Sequence, residues 1–212
     1  MRPRLIVLAK APIPGLSKTR LCPPCTPVEA AAVAEAALSD TLSAAMAVAG
    51  VRPVLVLEGR PGSWLPRGMD VIPQRGRGLD QRLAGAFDDS GGPALLIGMD
   101  TPQVTPALLG SCVDALLAPG VDAVLGPALD GGWWAAGLRR PLAPAFLGVP
   151  MSTSQTCAVQ RRRLAGLGLD VADLPALSDV DVWEDALSVM AGSGGARFPA
   201  AVAAVTGSWV AR

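Results

Sequence analysis

The chain has only two lysines, Lys10 and Lys18, and both fall within residues 5–21, LIVLAKAPIPGLSKTRL. This stretch opens with five apolar residues, breaks at Pro12, Pro14 and Gly15, and closes on Lys18-Thr19-Arg20. A buried strand that runs straight into such a loop can hold phosphate at the carboxyl edge of a parallel sheet. Lysine offers a mobile point charge and arginine a planar fork for two oxygens, so Lys18 and Arg20 could together stabilise a phosphoryl group in transfer. Lys10, at the strand end, is near enough to join them. The plainer reading of all three is solvated surface charge. The loop is not a Walker loop, because Gly15-Leu16-Ser17-Lys18 lacks the first glycine at the required spacing.

Carboxylates supply the complementary half. Asp100 follows the apolar run ALLIGM directly and could hold Mg²⁺ through one oxygen; alternatively it forms the turn before Thr101-Pro102. Asp179 and Asp181, in SDVDVWED, offer a second carboxylate after a later strand. Asp181 could equally cap the helix that follows, with Glu184 as its partner at the third helical position. Asp130-Gly131-Gly132 reads as a tight turn between two strands, where Asp130 could accept from a hydroxyl or amine and backbone could approach a substrate closely. Trp133 and Trp134 follow, one expected to face the core and the other free to stack on a ring. Gly76-Arg77-Gly78 is a lone glycine-rich signal. Ser152-Thr153 is either a helix N-cap or a phosphate or hydroxyl contact at a helix N-terminus.

The elements that would position these residues alternate. Strands are expected at residues 5–9, 54–57, 71–72, 94–98, 122–125, 133–137 and 169–174. Helices are expected at residues 27–49, 79–88, from 105 to about 119, 152–166, 180–189 and about 200–210. Two helix starts are explicit: Thr26 caps with Pro27 at the first position and Glu29 at the third, and Thr105 caps with Pro106 behind it. This spacing argues an α/β fold with helices on the faces of a mixed, mostly parallel sheet. One domain is expected over residues 1–191, followed by a tail at 192–212 with a possible helix.

Composition narrows the chemistry. The chain has 212 residues, half of them apolar, with 18 basic and 18 acidic side chains. No net field points to nucleic acid or to an anionic membrane. The apolar start is too short for a signal peptide and no run reaches the length of a membrane span, so a cytoplasmic protein is expected. There is no histidine, which removes Ser-His-Asp and Cys-His catalysis and His-ligated zinc. Cys22-Pro23-Pro24-Cys25 has redox or zinc spacing, but zinc would require Cys112 and Cys157 to converge on it; reduced thiols are the plainer reading.

Five motifs stand in the order and spacing of a known group: LIVLAKAPIPGLSKTRL, LLIGMDTPQVTPALL, LGPALDGGWWAAGL, PMSTSQT and DVDVWEDAL. Over about residues 5–187 the chain resembles GT-A-type nucleotide-diphospho-sugar transferases, in a branch labelled arsenosugar-biosynthesis-type glycosyltransferase. More distantly it resembles phospholactate and phosphoenolpyruvate guanylyltransferases. The resemblance implies a Rossmann-like three-layer α/β/α sandwich and a nucleotide-utilising transferase with Mg²⁺ or Mn²⁺. It implies Lys18 and Arg20 on nucleotide phosphates; Lys10, Gly15 and Gly78 are candidates for the same phosphate site by their place in the chain. Asp100 and Asp181 would bind metal, and Lys18, Arg20 and Asp100 would be catalytic. Asp130, Gly131, Gly132, Trp133, Ser152 and Thr153 would face the substrate. The chain departs from the group at Trp133-Trp134, where a Tyr pair is usual, at Met151, where Trp is usual, and at Val182-Trp183, where Thr-Pro is usual.

Two transfers compete, with nucleotidyl transfer slightly favoured and glycosyl transfer the alternative. In nucleotidyl transfer a phosphate or carboxylate oxygen of a small acceptor attacks the α-phosphorus of an NTP; the Lys18-Thr19-Arg20 cluster favours it, since a triphosphate needs more cation. In glycosyl transfer a nucleotide-diphospho-sugar is the donor, Asp100 holds the metal and Asp130 orients or deprotonates the acceptor. A catalytically silent nucleotide-binding module is the third reading.

Overall fold

The computed structural model describes residues 2–210. Seven strands form one sheet: β1 (Arg4–Lys10), β2 (Arg52–Glu58), β3 (Asp70–Pro73), β4 (Ala94–Ile97), β5 (Ala123–Pro127), β6 (Trp133–Leu138) and β7 (Val171–Asp173). Their order is β3-β2-β1-β4-β6-β5-β7. Only β6 runs antiparallel, to both β4 and β5, so the sheet is mixed and mostly parallel. The helices are α1 (Pro27–Met46), α2 (Leu79–Ser90), α3 (Pro106–Leu117), α4 (Thr156–Gly166), α5 (Trp183–Met190) and α6 (Arg197–Val210).

Strand periodicity builds the layers. Leu5, Val7 and Ala9 of β1 point to one face, where Leu38 and Leu42 of α1 and Leu109, Cys112 and Leu116 of α3 cover them. Ile6, with Val54 and Val56 of β2, faces Leu83 and Phe87 of α2 and Leu164 of α4. Phe87 stacks on Phe146 with ring centroids 4.8 Å apart. Burial on both faces explains why β1 and β4 read as continuous apolar runs. The third cluster lies outside α1: Leu21, Val33 and Ala37 pack with Trp183 and Val189 of α5 and with Phe198, Val202 and Val205 of α6. Residues 197–210 are thus a helix docked on α1 through fully buried Phe198 and Val202.

Local signals fixed several ends. The Thr26 hydroxyl accepts from the Glu29 N–H at 3.3 Å, and the Glu29 carboxylate accepts from the Thr26 N–H at 2.7 Å. Thr26→Ala is expected to cost about 1 kcal/mol, read as a Tm lower by about 2–4 °C. Other ends moved. α1 stops at Met46, short of Gly50. α4 begins at Thr156, so neither Ser152 nor Thr153 caps it; the Thr156 hydroxyl accepts from the Thr153 N–H at 3.0 Å instead.

Among the described residues no helix is long and apolar enough to cross a membrane. Cys112 belongs to the α1/α3 side of the sheet and Cys157 packs on the α2/α4 side, so the four cysteines do not converge on one zinc.

Candidate active site

The chain turns at the junction of β1 and β4. From β1 it builds outward to β2 and β3; from β4 it builds the other way. In open α/β sheets such a reversal leaves a crevice beyond the carboxyl ends of the strands. A cleft of about 710 Å³ lies there. The loop after β1 and the Asp after β4 flank it because β1 and β4 are adjacent and parallel.

Lys18, Arg20, Asp100, Asp130, Gly132, Trp133, Ser152, Thr153, Asp181 and Lys10 all line this cleft. Gly15, Gly78 and Gly131 do not. Gly15 has φ +78° in open space and serves the bend of the loop. Gly78 precedes the first turn of α2. Gly131 has φ +91°, and a Cβ there would sit 2.1 Å from the Ser154 carbonyl oxygen. The close approach that requires this glycine is therefore made by the chain's own backbone. The Cys157 N–H donates to the Gly131 carbonyl at 2.9 Å, which fastens the β5–β6 turn to the first turn of α4.

The centre of the cleft is a cation between carboxylates. The Lys18 ammonium lies 2.6 Å from Asp100 Oδ1 and 3.4 Å from Asp181 Oδ1, and also donates to the Val180 carbonyl. Its side chain is only 13% exposed. Burial alone would lower its pKa, but the charges and hydrogen bonds of Asp100 and Asp181 outweigh burial and raise it. Arg20 Nη1 reaches the other oxygen of Asp181 at 3.3 Å.

The tertiary structure brings Asp181 there by three contacts of the 175–181 segment. The Trp134 indole N–H donates to the Pro175 carbonyl at 2.9 Å. The Gln103 amide donates to the Ser178 carbonyl at 2.8 Å. The Val180 N–H donates to the Asp100 carbonyl at 2.9 Å. Asp181 does not cap α5. The Asp185 carboxylate does so, accepting from the N–H groups of Asp181 and Val182 at 3.0 and 2.9 Å. This leaves both oxygens of Asp181 to the cleft.

Lys10 sits apart from Lys18. It pairs with Glu58 at 3.3 Å, its neighbour in the parallel register of β1 and β2. Arg82 of α2 pairs with the same carboxylate, and together Lys10 and Arg82 hold the Glu58 pKa below its usual value against the effect of burial. Gln74, just past β3, donates to the Ala9 and Val56 carbonyls at 2.7 and 3.2 Å. Gln74 and Arg82 line the cleft, yet the sequence reading passed over both. Their signal was position: one directly follows a strand, and the other lies one turn past Leu79 in a helix beginning at the cleft.

The opposite wall carries Asp130, Asp179, Trp133 and Met151. One oxygen of Asp130 accepts from the Gly132 N–H at 2.8 Å, which fixes the carboxylate in the turn. Asp179, two residues before Asp181, joins this wall without having been singled out by its sequence position. Burial, with the negative charges of Asp100 and Asp130, pushes its pKa up to about 7. Trp134 is buried in the core, while Trp133 is half-buried and packs on Phe146 with centroids 6.2 Å apart.

The donor set suits a hard divalent cation. Asp100 and Asp181 already turn oxygens toward one shared positive centre, and Mg²⁺ or Mn²⁺ takes such oxygens readily. Among the described residues no three Cys, Asp or Glu side chains gather in metal-holding geometry. Two carboxylates would therefore have to be completed by water and by oxygens of a bound phosphate.

Known proteins share this architecture. A protein from Desulfovibrio desulfuricans G20, provisionally named a nucleotide-diphospho-sugar transferase, superposes with a TM-score of 0.84 at 23% identity, over 99% of this chain and 96% of its own. CMP:2-keto-3-deoxy-manno-octonic acid synthetase complexed with CTP gives 0.57 at 13% identity, over 89% and 98%. A mannosyltransferase from Pyrobaculum calidifontis, in complex with GDP-Man and Mn²⁺, gives 0.55 at 14% identity, over 84% and 56%. At these identities the likeness is one of fold: the GT-A-like, Rossmann-like sandwich of nucleotide-diphospho-sugar transferases. No curated protein matches the chain. A family described as an uncharacterized protein conserved in bacteria (DUF2064) matches residues 32–153. With more than half of its residues inside that match, this chain belongs to the DUF2064 family.

Proposed function

We propose that the chain is a divalent-cation-dependent transferase that takes a nucleotide donor and passes part of it to a small-molecule acceptor. One observation carries this: the Lys18–Arg20 loop and the Asp100/Asp181 carboxylates meet at the switch point of the sheet, within 2.6 to 3.4 Å of one another. A phosphate site needs cations and a metal-binding carboxylate together. The ligands named for the similar folds, CTP in one and GDP-Man with Mn²⁺ in another, support the same donor class.

Of the two transfers, glycosyl transfer from a nucleotide-diphospho-sugar fits the geometry better. The cations that line the cleft are Lys10, Lys18, Arg20 and Arg82, and each is engaged by Glu58, Asp100 or Asp181. Each pairing must be exchanged before its cation can serve a phosphate, and a diphosphate asks for fewer such exchanges than a triphosphate. On the far wall Asp130 is held by the Gly132 N–H and, among the described residues, is engaged by no cation within ion-pair distance. In this reading Asp130 takes the proton from an acceptor hydroxyl. The hydroxyl oxygen then bonds to the anomeric carbon, and the carbon–oxygen bond to the diphosphate breaks, releasing the nucleoside diphosphate. Asp100 and Asp181 would each give one oxygen to Mg²⁺ or Mn²⁺, which when bound neutralises charge on the leaving diphosphate. Arg20, exposed at the cleft mouth, is free to turn from Asp181 to a phosphate oxygen. Trp133 offers a flat apolar surface beside Asp130 for a sugar or acceptor ring.

Nucleotidyl transfer is the second reading, favoured by the two cations standing two residues apart in the first loop. A thermal-shift panel of NTPs and nucleotide-sugars with Mg²⁺ or Mn²⁺ separates them, because stabilisation follows ligand saturation. Nucleotide-sugars with metal are expected to raise the Tm by several degrees. Stabilisation by NTPs alone would sink the glycosyl reading, and no response to either class would sink the donor assignment.

A further inference from the structure

Lys18 is placed unlike a side chain waiting for a phosphate. Its ammonium is drawn down among Asp100 Oδ1, Asp181 Oδ1 and the Val180 carbonyl. The backbone at Lys18 has φ +48°, a left-handed conformation that a non-glycine residue adopts at some cost. The chain accepts that conformation and directs the side chain inward. Arg20, two residues on, remains 74% exposed and touches only the outer oxygen of Asp181.

From this arrangement we infer that Lys18 is a built-in competitor for the divalent cation: its ammonium occupies the position between Asp100 and Asp181 that the metal must take, so that metal enters only as phosphate draws Lys18 away. The inference rests on the proposed metal role of Asp100 and Asp181. A divalent ion and an ammonium that draw on the same two carboxylate oxygens repel each other, and that repulsion offsets much of the attraction each gains. A tethered ammonium also has the advantage of proximity over a free ion. It neutralises carboxylates that, with Asp130 and Asp179, would otherwise repel one another in the cleft. A donor diphosphate changes the balance, since it supplies new oxygens both for Lys18 and for the incoming metal. Lys18 is then a positioning residue with two stations, and metal and nucleotide bind in mutual dependence.

The test uses Mn²⁺ alone on the full chain, with binding read by calorimetry or by the paramagnetic resonance of free Mn²⁺. Lys18→Met is expected to bind Mn²⁺ about tenfold tighter than the wild-type chain or more, whereas Arg20→Met should change affinity by less than about threefold. Equal, measurable affinity in the wild type and Lys18→Met overturns the competition and leaves the metal site standing. Absence of Mn²⁺ binding in both overturns the competition and also counts against Asp100 and Asp181 as ligands. A second measurement needs no substitution. With only two lysines in the chain, ¹⁵N-lysine NMR should resolve the Lys18 ammonium. Mg²⁺ at a level that half-saturates Lys18→Met should move the wild-type Lys18 signal by no more than about a tenth of its full metal-induced shift, and a shift about half complete at that level overturns the inference.

Discussion

Asp100→Asn is expected to lower metal-dependent turnover by about 10²–10³-fold, the scale seen when one group that stabilises transition-state charge is removed. It should also abolish the metal dependence of donor-induced stabilisation. The side chain stands directly beyond β4, at the reversal of strand order, and is 41% exposed, so the amide can replace it without a steric change. What is lost is one negative charge that faces Lys18 at 2.6 Å and would face the metal. The fold should survive: Asp100 gives its backbone carbonyl, not its side chain, to the Val180 N–H. Asp70→Asn, which breaks an exposed pair with Arg52 at 2.8 Å on β3, is the control and should change neither property. A normal metal response in Asp100→Asn would remove Asp100 from the site.

Asp179 dominates the expected pH dependence. Its folded pKa, raised to about 7 by burial and by Asp100 and Asp130, exceeds the ordinary value of 3.8. A group with a raised folded pKa binds its proton more tightly in the native state. The stability it contributes is therefore full below about pH 4 and is lost as pH rises toward and through about 7. Allowing for screening in a half-buried cleft, ionised Asp179 should cost about 2 kcal/mol at pH 8. Asp179→Asn cannot ionise, so in EDTA it should melt several degrees above the wild type at pH 8 and about level with it at pH 4. A constant difference across that range, or a lower Tm at pH 8, would show that Asp179 is not held in a charge-poor, acid-lined position.

Much of this arrangement was legible locally. The run at residues 5–9 read as a buried strand because both faces of β1 are covered, and Thr26 and Thr105 read as caps because their hydroxyls meet N–H groups three residues on. Asp100 could be chosen because a carboxylate just past an apolar run falls at the carboxyl edge of a parallel sheet. Of the two readings of Asp181, the one as cap of α5 fails for a long-range reason. Asp181 has the right type and place to cap, but Lys18 and Arg20, some 160 residues earlier, hold both of its oxygens. The helix starts one residue later and takes Asp185 in its stead. Likewise the 150–155 loop stays unwound, with its Ser154 carbonyl against Gly131, so α4 starts later than Ser152 implied.

The sequence by itself determined the alternation of strands and helices, the caps of α1 and α3, and which charged residues stand at strand ends, because these depend on periodicity and on contacts a few residues apart. Tertiary structure alone decided which charges meet. The parallel register of β1 and β2 sends Lys10 to Glu58 rather than to the first loop. The docking of the 175–181 segment on Asp100 and Trp134 sets Asp181 beside Lys18. Partners chosen by chain closure across the sheet leave no local trace, since neither residue of a pair is altered by the distance along the chain to the other.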